Sequence, residues 1–541
     1  MRALNVLLAL LFPVLLFVAL FEGGLRLMGK GPEETGLQFD QAVGWAKKPN
    51  TSYTRSGPGY SATIELNELG LRDDPMDSPA KPANTTRVLV LGDSFTLGYT
   101  VDRDALFVDL LEGWCEAEGR SVDVVNAGTQ AWSTDQSIAW LEEYGREFEP
   151  DVVVLAPYDN DLYYNGQTNY SEYTKPRYDA EGFLDAGEIV DPWADGVPAS
   201  KTWAIAKLLF ETRTPGARFT PPGGSNPLPA DFAPLFPGVG ADVLGDCLER
   251  SRGVLAAAKR ITDQMGAELL VAPIPSHSAV EADMAQRMSE FFGVEASSWQ
   301  PSRPVELVMG WCEELGIQAA DPTEALVAAT KIERTEGGDI DYAASERCYL
   351  DFFENGQEWH FNERGNEVYG RFLHEQLAGR GWLPDGEREV ELVAATVATS
   401  EPEGGLPTWM VVFGVLFVAL SAGYISFYRD EPAPLAIAKV FALLSVIFAT
   451  FLGVKWLITT LNAINPTFGM LLGAAFVIGV LGFVAYKLGN RLATIAELFK
   501  AFTLRGHWYL MPVVVILLTI GSLLVVAASS PLVAPFIYTL F

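Results

Sequence analysis

Charge and apolar side chains are segregated along this chain, and the segregation limits what it can fold into. Of its 38 Lys/Arg and 68 Asp/Glu residues, only ten and six fall within 1–30 and 401–541 together. That leaves 28 basic and 62 acidic residues in 31–400, a net charge of −34. Mean hydropathy over the whole chain is nevertheless +0.16. The two facts are compatible because an acidic, water-soluble body lies between two apolar, slightly basic ends. Such a body repels nucleic-acid phosphates and anionic lipid surfaces, so nucleic acid is excluded as a partner. The 541 residues are enough for more than one domain, since single cores seldom grow past about 250–300 residues.

The ends read as membrane segments. Residues 1–30 hold an apolar run from Val6 to Leu27, interrupted by Glu22 and without a small-x-small cleavage site; this favours a retained anchor over a cleaved leader. Apolar stretches at 409–427, 437–461, 468–486 and 510–537 approach or exceed the roughly 20 residues needed to cross hydrocarbon. Residues 407–541 are therefore expected to hold four spans, after a stalk at 383–406. If the acidic body lies outside the cytoplasm, the connections carrying Arg429 and Lys439, and Lys487, Arg491, Lys500 and Arg505, lie inside. The uncharged stretch from Asn462 then lies outside, as the positive-inside rule requires. Within 490–503, Leu492, Ile495, Phe499 and Phe502 recur at helical spacing, which suits either an interfacial helix or an ordinary connecting helix. Lys455, inside the third span, either snorkels beside Trp456 or marks a polar cavity.

The acidic body has the pattern of an α/β fold. Residues 31–84 are polar with short alternating runs, a lead-in of small sheet or hairpin closed by "NELGLRD", where Asn67 and Gly70 suit a turn. From residue 85 to 382, strands at 87–91, from Ser121, from Asp151, in "AELLVAPIP" and in "GIQAAD" alternate with helical patterns, including 104–119 and 134–148. That alternation predicts a three-layer α/β/α domain around a mostly parallel sheet, with ligands bound beyond the carboxyl ends of the strands. Periodicity is lost over 165–246, a Pro/Gly-rich insert suited to a cap, an interaction loop or a disordered segment.

Three successive strands end in residues able to do acyl chemistry. Ser94 follows Gly92 and Asp93 after the first; Gly128 follows the second and can offer a backbone N–H; Asn160 follows the third and can offer a side-chain amide. A nucleophilic serine needs a base and donors for the developing oxyanion. Of the four histidines, His507 lies in a membrane connection and His374 is expected to face solvent. His277 follows a strand and stays open as a base, while His360, ahead of a helix start marked by Asn362 and Gly365, fits better. The histidines are not grouped at ligand spacing and no Cys-x-x-Cys occurs, so no metal and no cofactor is expected. Cys115, Cys247, Cys312 and Cys348 are either bridged or buried thiols.

"GDSFTLGY", "NAG", the Asn160-Asp161 pair and "HFNERG", in that order, resemble the four motif blocks of the SGNH, or GDSL-type, hydrolase and acyltransferase superfamily. The "PN…NELGLRD" lead-in resembles its extracytoplasmic bacterial branch. The resemblance covers about residues 45–380 and implies an SGNH-like, flavodoxin-like domain. It also implies Ser94 as nucleophile, His360 as base, and the Ser94 N–H, Gly128 and Asn160 as oxyanion donors. Two positions depart from the pattern. Tyr158 stands where the family has Gly, and Gln357 stands where it has the acid that orients the histidine. Asp351, Glu354 or Glu358 takes that role, or a Ser–His dyad works without one. The last span resembles a small uncharacterised bacterial membrane protein family found beside SGNH hydrolases.

Together these features lead us to expect a multi-pass protein of a bacterial inner membrane with its large domain on the extracytoplasmic side. The expected activity is that of a serine esterase or O-acyltransferase on an acylated glycan or envelope polymer. The expected partners are membrane lipid and other membrane protein subunits. The alternative is an inactive SGNH module that serves as a docking subunit of a membrane complex.

Overall fold

The computed structural model describes residues 36–386, except 171–172, 186, 193–216, 225, 336, 339, 343 and 354–357, and a few positions between 417 and 445. The expected anchor at 1–30, Lys455, the helix at 490–503, and nearly all of the stalk and of the four spans of 407–541 lie outside the described residues. Among the described residues no helix is long and apolar enough to cross a membrane. Almost all of them belong to one compact unit, Glu33–Val197 with Glu211–Val397.

The lead-in forms two separate antiparallel hairpins, β1 (Leu37–Asp40) with β2 (Gly44–Lys47), and β3 (Ser52–Gly57) with β4 (Tyr60–Glu65). The turn after β4 is built as its residues require: the Asn67 side chain accepts from Leu69 N and Leu71 N, both at 3.0 Å, and Gly70 takes a φ of 77°. The central sheet follows with β5 (Thr86–Gly92), β6 (Val122–Asn126), β7 (Val152–Ala156), β8 (Glu268–Val271) and β9 (Gln318–Ala319). All its pairings are parallel, and the spatial order is β9-β8-β7-β5-β6. The first strand thus has the second on one side and the third on the other. Crossovers leaving β5 and β6 run in opposite directions there, and a crevice opens at the carboxyl ends of the strands.

Because side chains alternate along a strand and both faces are covered, these strands read as unbroken apolar runs. Leu89, Leu91, Val153 and Leu155 pack under α3 (Thr134–Glu143), α4 (Cys247–Met265) and α5 (Arg303–Leu315), where Ile138, Ile261 and Val308 meet them. Val88, Val90, Val152 and Val154 pack on the other face against α2 (Phe107–Ala117) and α6 (Glu363–Gly379), through Leu111, Tyr369 and Leu373. The result is a three-layer α/β/α domain. The four cysteines are buried free thiols.

The helix expected over 134–148 ends at Glu143 and continues as a 3-10 turn, Gly145–Phe148. Gly145 allows this, since a Cβ there would lie 2.7 Å from Leu141, and the tighter turn brings Phe148 to 5.5 Å from the Trp140 ring. The described part of the insert is folded. Arg218–Phe219 pairs with Leu228–Pro229, and the 3-10 helix Ala230–Leu235 packs with Phe236, Met284, Met288, Trp299 and Phe352 in a third apolar cluster.

The sheet core carries the site above it, so a hole in it should be felt globally. Leu89 is fully buried; Leu89→Ala is expected to cost about 2–5 kcal/mol of stability, read as a lower urea midpoint by tryptophan fluorescence.

Candidate active site

Strand β5 ends where the chain must turn sharply. A Cβ on Gly92 would lie 2.2 Å from Thr96 Oγ1 and 3.2 Å from the Ala156 carbonyl, so only glycine lets the turn close. Asp93 caps the one-turn helix α1 (Ser94–Leu97), its side chain accepting from Phe95 N at 2.8 Å, and Gly98 ends it with a φ of 77°. Burial pushes the Asp93 carboxyl up to about 6 against the opposing pull of His360. Arg72, fully buried, holds the other end of this turn. It donates to the carbonyls of Leu97 at 2.9 Å, Thr63 at 2.8 Å and Val101 at 2.8 Å, and to that of Gly98. Burial lowers its guanidinium to about 10. Ser94 therefore stands at the start of a turn clamped at both ends.

His360 reaches this turn from the far end of the domain. Its Nε2 lies 2.6 Å from Ser94 Oγ, and its ring packs on Phe95 with centroids 4.6 Å apart. Behind it the chain is held by α6, whose cap Asn362 accepts from Gly365 N at 3.0 Å. A Cβ on Gly365 would lie 2.0 Å from the Cys348 carbonyl, which explains the glycine. The other ring nitrogen, Nδ1, pairs with Glu358 Oε1. The remaining oxygen of Glu358 accepts from Arg55 at 2.9 Å and from the Tyr60 hydroxyl at 3.3 Å, so both strands of the β3–β4 hairpin hold it. Arg55 in turn lies 3.6 Å over the Tyr99 ring. Burial alone would push the Glu358 carboxyl up, but His360 and Arg55 outweigh it and hold it well below the usual carboxylate range.

The other expected residues are distributed as follows. Asp351 pairs with Arg287 at 2.6 Å and with Arg347 at 2.7 Å, away from the His360 ring. Glu354 and Gln357 lie outside the described residues, as does His507. His277 stacks on Tyr349 at 4.8 Å and faces Glu281 at 2.9 Å. The expectation that His374 faces solvent is corrected: it is buried on α6, with its Nε2 3.2 Å from Glu118 and its ring edge-on to Trp114. The apolar stripe of α6 is wide enough to include it.

Gly128 abuts the Ser94 turn, since a Cβ there would lie 2.5 Å from both Thr96 Cβ and Leu97 N. Its N–H donates to the Asn126 side chain at 3.0 Å. Asn160 follows β7 in a loop fixed by Asp161, which accepts from Thr134 at 2.8 Å and from Tyr158 N at 3.2 Å. Tyr158 packs its ring 4.7 Å from Phe95. The larger side chain at this position thus becomes part of the wall beside the Ser94 turn.

Arg55, Tyr60, Arg72 and Lys47 are contributors that sequence reasoning missed. The alternating pattern of β3 and β4 marks a hairpin but says nothing about what its polar face meets. Lys47 is buried at the end of β2, and its ammonium donates to the Gly128 carbonyl at 2.6 Å.

Residues 492–541 match a protein family described as a family of unknown function, DUF5989. No curated protein matches the chain. Solved structures similar to it include a lipase/acylhydrolase from Enterococcus faecalis, 14% identical over 56% of this chain and 100% of that one, with a TM-score of 0.28. A GDSL-like lipase from Bacteroides thetaiotaomicron is 10% identical over 56% and 91%, with a TM-score of 0.27. The acetyl xylan esterase AlAXEase is 12% identical over 54% and 98%, with a TM-score of 0.29.

Lys47 supplies a pH test of this architecture. Burial lowers its ammonium to about 7 against the pull of Asp73. Between about pH 7 and its unfolded value near 10.4 the unfolded chain therefore binds a proton that the folded one lacks. Relative to Lys47→Met, wild-type stability should rise between about pH 7 and pH 10 by up to about 1.4 kcal/mol per pH unit. Urea midpoints of both proteins at pH 7 and 9.5 test this, and parallel shifts would refute it.

Proposed function

We propose that the α/β domain is a serine esterase or O-acyltransferase acting on an acylated glycan or envelope polymer. In this reading it is held at the extracytoplasmic face of a bacterial inner membrane, in contact with lipid and with other membrane protein subunits. The observation that carries the reading is the hydrogen-bonded line from Ser94 through His360 to Glu358. A carboxylate can only accept, so the proton on Nδ1 points at Glu358 and Nε2 presents its lone pair to the serine hydroxyl. Ser94 Oγ attacks the acyl carbonyl while His360 takes its proton, and Glu358 stabilises the imidazolium so formed. The Ser94 N–H and the Asn160 amide receive the oxyanion; Gly128 adds its N–H when the bond to Asn126 opens. Collapse of the tetrahedral intermediate expels the alcohol, which takes the proton from His360, and leaves an acyl-serine. Water or a sugar hydroxyl then attacks that ester with His360 again as base, which yields hydrolysis or transfer.

Glu358 acts two positions before the histidine, so Gln357 at the family's usual acid position does not leave the histidine without a carboxylate. Arg55 is a positioning residue here, since it touches Glu358 and not the reacting atoms.

Fluorophosphonate labelling of the full chain should be lost in Ser94→Ala. Absence of labelling in folded wild-type protein would instead favour a docking module. For hydrolysis of p-nitrophenyl acetate, Glu358→Gln should lower kcat by roughly 10²- to 10⁴-fold. Arg55→Met should lower kcat less and raise the pH at which activity is lost on the acid side less than Glu358→Gln changes it. Arg55→Lys should restore part of the loss, whereas a purely structural role would leave the profile unmoved.

A further inference from the structure

Beside Asn160 a pocket opens toward the third apolar cluster, with Asp159, Asp231, His277, Trp299, Phe352 and Trp359 among its lining residues. It shares Asn160 with the site above, and Trp359 adjoins His360 in the chain. Among the described residues none of the lining side chains is Lys or Arg. Its polar lining mixes the hydroxyls of Tyr158, Ser276 and Ser278, the Asn160 amide and the Trp299 N–H, which has no partner, with the carboxyls of Asp159 and Asp231 and the His277 ring. Asp159 forms no ion pair with a described residue. Asp231 receives the Tyr164 hydroxyl at 3.4 Å on one oxygen and has no partner on the other.

The histidine gives an independent pointer to a ligand. His277 is 5% exposed, and its Nε2 lies 2.9 Å from Glu281 Oε2 and 3.5 Å from Arg347. The shorter contact is to a group that only accepts, which puts the ring proton on Nε2. In the neutral ring Nδ1 is then a buried lone pair, and it has no partner. An unpartnered buried acceptor is unfavourable until a donor arrives.

Three kinds of occupant can be compared. A plain acyl chain would desolvate two carboxylates and an imidazole lone pair and return nothing to them. An anionic group would oppose the ionisation of either carboxyl. A positively charged nitrogen can donate to all three, in a pocket also lined by Trp299, Phe352 and Trp359, and aromatic rings attract cations. The unliganded state is unfavourable for the charged form, since burial and the nearby Asp231 push the Asp159 carboxyl up to about 8. The net charge of −34 over 31–400 further draws cations toward the domain.

We infer that this pocket holds an ammonium group of the substrate, so that the ester processed at Ser94 is one whose positively charged nitrogen lies a few bonds from the scissile carbonyl. The inference rests on the reading of Ser94 as nucleophile and names the substrate class of that site. An amino-bearing ester, aminoacyl or amino-sugar, fits; a simple fatty acyl ester does not.

The test uses the full-length protein in detergent and two esters of the same shape, acetylcholine and its uncharged isostere 3,3-dimethylbutyl acetate, followed by acid release. At low salt kcat/KM should favour the cationic ester by at least about tenfold. The ratio should fall toward one in Asp159→Asn and in Asp231→Asn. Equal turnover of the two esters, or a ratio unchanged in both variants, would overturn the inference while leaving the esterase reading intact. If neither ester is turned over and Ser94 is not labelled, the esterase reading fails. The pocket is then read directly by calorimetric titration with n-butylammonium chloride. Binding that is lost in Asp159→Asn supports the cation site, and no binding to folded wild-type protein overturns it.

Discussion

The Glu358 carboxylate is shared between two neighbours: one oxygen meets His360, and the other accepts from Arg55 and Tyr60 of the β3–β4 hairpin. The arrangement above the sheet depends on this sharing. A buried carboxylate without partners would rise in pKa and lose its charge; flanked by an imidazole and a guanidinium, it stays ionised where the histidine needs it. A hairpin outside the central sheet thereby sets the state of a group attached near the last helix of the domain.

The same economy of contacts organises the Ser94 turn. Arg72, a buried cation, satisfies four carbonyls that a one-turn helix and its neighbours leave open, and Lys47 does the same for Gly128. Both come from the lead-in, so the hairpins and the turn after them act as supports for the rim of the sheet. Gly92 and Gly128 let the rim close up around α1, where any larger residue would collide with Thr96. The spatial order of the strands puts β5 beside both β6 and β7, which is why the loops bearing Ser94, Gly128 and Asn160 converge on one rim.

Next to this rim the chemistry changes sign. At the Ser94 turn, Arg72 and Lys47 spend their donors on carbonyls and Arg55 on Glu358, whereas the adjoining pocket holds Asp159, Asp231 and His277 among aromatic side chains and has no Lys or Arg among its lining residues. The described end of the Pro/Gly-rich insert contributes Asp231 and the wall behind it. The site and its pocket are thus built from distant parts of the chain: hairpins, strand ends, insert and the segment before α6.

The amino-acid sequence by itself determined the α/β class, because unbroken apolar runs such as Val88–Leu91 and Val152–Leu155 demand cover on both faces. It also determined which strand ends carry Ser94, Gly128 and Asn160, since turn residues after a strand are read locally. Segregation of charge from apolar residues was equally legible, being a one-dimensional property. The partner of His360 was not: Asp351, Glu354 and Glu358 all lie within reach of it along the chain. Only the packing of the hairpin against that segment put a guanidinium beside Glu358, while Arg287 and Arg347 claimed Asp351. The burial of His374, Arg72 and Lys47 was hidden for the same reason, because whether a polar side chain meets water or a carbonyl depends on residues tens to hundreds of positions away. Local pattern records the period of a segment, and only the tertiary fold decides which charges share a dielectric.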